Sequence, residues 1–385
     1  MTDLNEKIKA SIYLLSYFET LGFNNTQWEF NYGNTQINNP QNSSYIWLSI
    51  IHDFFSMGGF SNINLTNWDS SDDTIMSIAT GLACIKGGKE EHYIEEYLKI
   101  LEELKKSKRA SGIGTLKYLE LIKRVRSITK LEQKETMGGN GAAMRTSTIG
   151  LVYYREKDVD LLIENSIIAS RITHNYSLGY LGGLITALFT SYAIRNIPIW
   201  NWIDEMLTLY ENGNIDNYMK KTNIYDNYLK EKDNFFDKWY HYQEQRLSKF
   251  KYQSFDFRHY DNRIESLEYY NDYKGKNEEK NYFRFGSSGL SAPIVAYDSL
   301  LMSFSSNKIP FDLNNPKDIK ISLQSVLFFS SLHFGDNDTT GAIAGAWYGA
   351  FYGFRQFDEN KLNQLEFNKE LKKLSDLIEN VVSKK

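Results

Sequence analysis

The chain predicts an all-α protein, and three observations carry that prediction. Apolar residues recur at spacings of three and four, as in Ile75, Ile78, Ala79, Leu82 and Ala83, and in Ile163, Ile167 and Ser170 with Leu184 and Leu188 beyond. Only five prolines interrupt 385 residues, and alternation bounded by hairpin turns is scarce. Near the C-terminus Gly341, Gly345, Gly349 and Gly353 fall every fourth residue, the spacing of one helix face.

The N-terminal stretch MTDLNEKIKASIYLLSYF mixes acids and bases before a short apolar run with no small-residue cleavage site, which argues against a signal peptide. In NWDSSDDTIMSIATGL, Ser71, Asp72 and Asp73 precede the periodic residues, so they fall at the N-cap and first turn of a helix. The run KKSKR at 105–109 is read as a solvated helix end. Residues 210–282 are dense in Tyr, Asn, Lys and Asp and interleaved with Phe235, Phe236, Trp239 and Tyr242. Because acids match bases there, they are read as amphipathic helices packed by aromatic faces rather than as a stacking platform for single-stranded nucleic acid. The segment GDNDTTGAIAGAWYGAFYG at 335–353 predicts a helix from near Thr339 or Thr340. Each glycine costs roughly 1 kcal/mol relative to alanine, so four in register imply a close helix contact.

Composition narrows the function. Hydrophobic residues at 42% and charged residues at 24% describe an ordinary globular protein. A net charge of -4 gives no electrostatic footprint for nucleic acid, and no apolar run reaches the ~20 residues that span a bilayer, so neither partner is expected. Cys84 is the only cysteine, which excludes an internal disulfide and a thiolate zinc cluster and fits a cytoplasmic setting.

Two acidic clusters remain. Asp336 and Asp338 project from positions two apart behind Gly335 and repel each other unless a cation lies between them. Oxygen donors of this kind suit Mg, Mn or Ca rather than zinc. An EF-hand loop starting at Asp336 would place Gly341 at its sixth position but Trp347 where a bidentate Glu is required, so that reading fails. DNDTT also matches a DxDxT pattern of haloacid-dehalogenase-like phosphatases, but those proteins carry it after their first strand and need further acids and a lysine downstream.

Taken in order, LGFNNTQWEF (21–30), SDDT (71–74), RASGIGT (109–115), GGNGAAMR (138–145), RITHNYSLGYLGG (171–183), GSSGLSAPIVAYD (286–298) and the GDNDTTG segment resemble the ADP-ribosylglycohydrolases, most closely their ADP-ribosylarginine hydrolase branch. The resemblance spans nearly the whole chain. It implies a compact single-domain helical bundle over residues 1–385, with 210–282 as a variable segment, in place of the two or three domains that length alone suggests.

By position, the resemblance implies a dinuclear site of two Mg ions, Mn in some members, held by Ser71, Asp72, Asp73, Asp336, Asp338 and Thr339. Asp72, Asp73, Asp338 and Glu29 would serve catalysis, with Glu29 on a mobile segment over the site. Gly139, Asn140, Gly141, His174, Ser287, Ser288 and Gly289 would line the ADP-ribose. The implied activity is hydrolysis of the N-glycosidic bond between ADP-ribose and arginine in modified proteins, by a monomer. Another ADP-ribosyl linkage, such as serine, and a noncatalytic ADP-ribose-binding homologue are the alternatives. One departure stands out: many relatives carry GDALG upstream of the glutamate, whereas this chain has FETLG, with Phe18 and Glu19 at the first two positions.

Overall fold

The computed structural model describes residues 3–31, 43–248, 260–270, 285–305 and 320–384. Its helices are α1 (Leu4–Phe23), α2 (Ser43–Ser56), α3 (Gly59–Asn62), α4 (Asp72–Ile85), α5 (Glu90–Leu104), α6 (Ile113–Val125), α7 (Ser147–Val152), α8 (Val159–Arg171) and α9 (Ser177–Ile194). They continue as α10 (Trp202–Glu211), α11 (Asn214–Met219), α12 (Tyr225–Tyr242), α13 (Tyr260–Glu268), α14 (Ser291–Met302), α15 (Leu323–Ser331), α16 (Asn337–Tyr352) and α17 (Asn368–Lys384). Among the described residues the sole sheet is a two-residue antiparallel pair, Phe304–Ser305 with Lys320–Ile321.

The glycine face does what its spacing predicts. α16 lies along α1 so closely that a Cβ at Gly345 would overlap the carbonyl of Leu14, and one at Gly349 would overlap Ala10. At Gly341 it would meet Ser331 Oγ and come within 3.0 Å of the Phe18 carbonyl. α1 contributes a glycine of its own: a Cβ at Gly22 would stand 2.5 Å from the carbonyl of Asn337. The fourth member of the stripe has a different role, because Gly353 is not in the helix but ends it, at φ 66. α16 begins at Asn337, with Asp336 as its N-cap, two residues before the predicted start.

α9, α14 and α15 surround the α1–α16 pair. The core is aromatic where they meet: Phe189 lies 5.3 Å from Trp347 and 5.5 Å from both Tyr297 and Trp239, ring centre to ring centre. α9 is long and apolar enough to cross a membrane by length and composition, but all of it is buried inside the protein.

Phe235, Phe236, Trp239 and Tyr242 on α12 are buried, and Phe236 stacks on Tyr210 at 4.0 Å. Their rings are spent on packing, as the charge balance of this segment suggests. The parts of the segment at 249–259 and 271–282 lie outside the described residues. α12 and α13 are tied to α14 through Asp298, which accepts from Arg246 Nε at 2.7 Å, Arg263 Nε at 2.6 Å and Tyr242 Oη at 2.8 Å.

Candidate metal centre

The two acidic clusters sit at two helix mouths that face each other. Ser71 is the N-cap of α4, its Oγ accepting the Asp73 N–H at 3.2 Å. Asp72 and Asp73 follow as the first two helical residues. Across the gap, Thr339 Oγ1 donates to Asp73 Oδ1 at 3.4 Å, a contact between residues 266 apart in sequence. Asp338 Oδ1 accepts the Thr339 N–H at 2.8 Å, and Asp336 is held by its own N–H on the carbonyl of Phe285, also at 2.8 Å.

Glu29 completes the group. Its carboxylate and those of Asp336 and Asp338 each offer an oxygen within 4.8 Å of the others. The segment bearing it is fastened by the Phe30 N–H to the carbonyl of Gly335 at 2.9 Å. That segment is also strained, since Asn24, Asn25, Thr26 and Phe30 all have φ between 40° and 72°. The sequence placed Glu29 outside the ligand set; the geometry puts it among the closest carboxylates.

All five acids are at most 8% exposed. Burial, then the charge of Asp338, pushes Asp72 up to about 7. The same two causes hold Asp73, Asp336 and Glu29 well above the usual carboxylate range, while Asp338 is raised by burial and partly relieved by its hydrogen bonds. Asp73 Oδ2 and Glu29 Oε2 are buried with no hydrogen-bond partner. Such a cluster is costly as it stands, and hard divalent cations are the ligands its oxygen donors fit.

A glycine loop adjoins the cluster. Gly139 bridges Ser288, the Asn140 N–H donates to the carbonyl of Ser287 at 3.1 Å, and Asn140 Nδ2 donates to the carbonyl of Gly286 at 2.9 Å. Gly141 lies against His174, so a Cβ there would come 2.5 Å from His174 Cε1. His174 Nδ1 shares a 2.8 Å hydrogen bond with Thr173 Oγ1, which also accepts from Arg145 Nη2 at 2.8 Å. Burial and the Arg145 charge lower His174 to about 3, so its ring is neutral. Ser287 Oγ is buried and unpartnered beside this loop.

Two assignments change. The Ser288 hydroxyl is spent at the start of α14, where it accepts the Ser291 N–H at 2.9 Å, so Ser288 meets the loop through its backbone alone. Gly289 is a packing residue, since a Cβ there would overlap the carbonyl of Leu178.

Sequence reading also missed two supports. Arg109, the last residue of the run taken as a solvated helix end, is 2% exposed. It grips Glu366 with Nη1 at 2.7 Å and Nη2 at 2.8 Å, reaches Glu103, and donates to the carbonyl of Ser70 at 2.8 Å. Glu366 in turn accepts the Ser70 N–H at 3.0 Å, so the residue before Ser71 is held at both ends. His333 supports the other mouth. Its Nδ1 accepts the Gly335 N–H at 3.1 Å, which leaves Nε2 to face Thr340 Oγ1 at 2.8 Å.

A family model described as ADP-ribosylglycohydrolase matches residues 2–385. ADP-ribosylhydrolase ARH1 of Dictyostelium discoideum is 30% identical over 402 residues, covering 97% of this chain and 94% of that protein. ADP-ribosylhydrolase ARH3 of Xenopus tropicalis is 26% identical over 58% of this chain and 54% of its own length. A solved structure titled as an ADP-ribosylglycohydrolase-related protein complex shares the fold with a TM-score of 0.54 at 15% identity, over 99% of this chain and all of that one. A match to the family model over essentially the whole length means that the chain belongs to the ADP-ribosylglycohydrolase family.

Proposed function

We propose that this chain is a metal-dependent hydrolase that releases ADP-ribose from the arginine side chains of mono-ADP-ribosylated proteins. Family membership supports hydrolysis of an ADP-ribosyl linkage. The arginine linkage rests on the motif resemblance. The observation that carries the reading is the buried carboxylate group, with two unpartnered oxygens, next to a glycine loop backed by a neutral histidine.

In this reading Ser71, Asp72, Asp73, Asp336, Asp338 and Thr339, together with Glu29, would hold two divalent cations, Mg or Mn, which would supply Lewis acidity and make water a better nucleophile. The backbone N–H groups of Gly139 and Gly141 receive the diphosphate without side-chain obstruction, and His174 and the Ser287 hydroxyl donate to the same ligand. Water attacks the anomeric carbon as the electron pair of the C–N bond leaves with the guanidine, so positive charge develops on the ribose. The surrounding carboxylates stabilise that charge. One of Asp72, Asp73 or Asp338 takes the proton of the attacking water, an assistance worth ~10² to 10⁴ in rate.

The test is release of free ADP-ribose from defined arginine-modified and serine-modified substrates in Mg and in Mn. Release from arginine, lost in Asp338→Asn, is expected. Turnover confined to serine overturns the linkage, and no metal-stimulated turnover on either overturns the enzymatic reading.

A further inference from the structure

Glu19 is a carboxyl side chain with no exposed surface. Both of its oxygens are engaged. Oε2 accepts the backbone N–H of Ser71 at 3.2 Å, and Oε1 accepts the hydroxyl of Thr74. With Ser71 as N-cap, Asp72, Asp73 and Thr74 are the first, second and third residues of α4. In a complete capping box the third residue is Glu or Gln, and its side chain reaches back to the N–H of the N-cap. Thr74 is too short for that. Glu19, from a different helix, accepts that N–H in its place and holds Thr74 with its other oxygen.

The helix that bears Glu19 also sets the second acidic mouth. α1 lies on the glycine face of α16, with Gly22 against the carbonyl of Asn337 and Phe18 against Gly341. One rigid element therefore touches the frame of both ligand clusters, with Glu19 between the two contacts. We propose that Glu19 is a positioning residue that completes the cap of α4 from outside the helix and so sets the spacing between the Ser71–Asp73 and Asp336–Thr339 halves of the metal centre. Its two oxygens are already committed to the Ser71 N–H and the Thr74 hydroxyl.

This inference rests on the metal-centre reading, and the experiment separates the two. Mn²⁺ binding is measured by titration calorimetry on the full-length wild type and on Glu19→Gln, Glu19→Asp and Thr74→Val, each shown to be folded by circular dichroism. Glu19→Asp and Thr74→Val keep every charge and disturb only the cap. Removing a group that orients metal ligands typically costs 10–100-fold in affinity. Glu19→Gln should fall in that range, and the other two should bind several-fold more weakly than wild type. Wild-type affinity in both charge-conserving variants overturns the positioning role, even where Glu19→Gln is weakened through its lost charge. A wild type that binds no Mn²⁺ overturns the metal centre and this inference together.

Discussion

The stability of the protein should depend on divalent cation in a way that grows with pH. Asp72 is pushed by burial and by the Asp338 charge from 3.8 to about 7. Between pH 5 and pH 7 the unfolded chain has released that proton while the folded chain retains it, so native stability falls by about 1.4 kcal/mol per pH unit, or about 3 kcal/mol over the interval. The cost is absent below the unfolded value and complete above about 7. Asp73, Asp336 and Glu29 move in the same direction and act in the same sense. An unfolding entropy near 2.1 cal/mol/K per residue amounts to about 0.8 kcal/mol/K for 385 residues, so the interval is worth about 3–4 °C in Tm. His174 and His333, both lowered to about 3 by burial, act in the opposite sense, gaining stability as the unfolded histidines lose their protons. They contribute alike with and without cation, so the difference between two melting curves isolates the carboxylates. Thermal unfolding in EDTA and in saturating Mg²⁺ at several pH values is the assay. The rise in Tm on adding Mg²⁺ should be larger at pH 7 than at pH 5 by about this amount. A rise that does not change with pH, or no rise at all, refutes the reasoning.

Other outcomes follow from the packing. Gly345→Ala sets a methyl group against the Leu14 carbonyl and should cost about 1–3 kcal/mol by chemical denaturation; wild-type stability would mean that α1 and α16 are not in register. Arg109→Ala strands Glu366 and releases the Ser70 carbonyl, a loss of about 2–3 kcal/mol, with Arg109→Lys recovering only part because it cannot form the two-pronged pair. The single domain inferred for residues 1–385 should unfold in one transition, with calorimetric and van't Hoff enthalpies equal; two separated transitions would contradict it.

What was legible in the sequence was whatever is fixed by local helix geometry. Ser71, Asp72 and Asp73 read as a helix mouth because the apolar residues behind them set the phase, and the glycine stripe announced a close contact before its partner α1 could be named. The phase failed at the ends: α16 starts at Asn337, and Gly353 stops the helix with a positive φ rather than packing within it. Arg109 was misread because the carboxylate that buries it, Glu366, lies 257 residues away, although the RASGIGT motif begins at this residue. Glu19 was legible only as a departure from a motif, since its partners Ser71 and Thr74 belong to another helix. Glu29 looked like a residue above the site, and only the hydrogen bond from Phe30 to Gly335 shows why it joins Asp336 and Asp338.

The central claim is that two helix mouths, brought together by α1, form one divalent-metal centre. Anomalous diffraction from crystals grown with Mn²⁺ and ADP-ribose tests it most directly. The account predicts two manganese peaks between Ser71–Asp73 and Asp336–Thr339, with the ribose turned toward them and the diphosphate on Gly139–Gly141. Ordered ADP-ribose without manganese at these carboxylates, or manganese bound elsewhere, would contradict it.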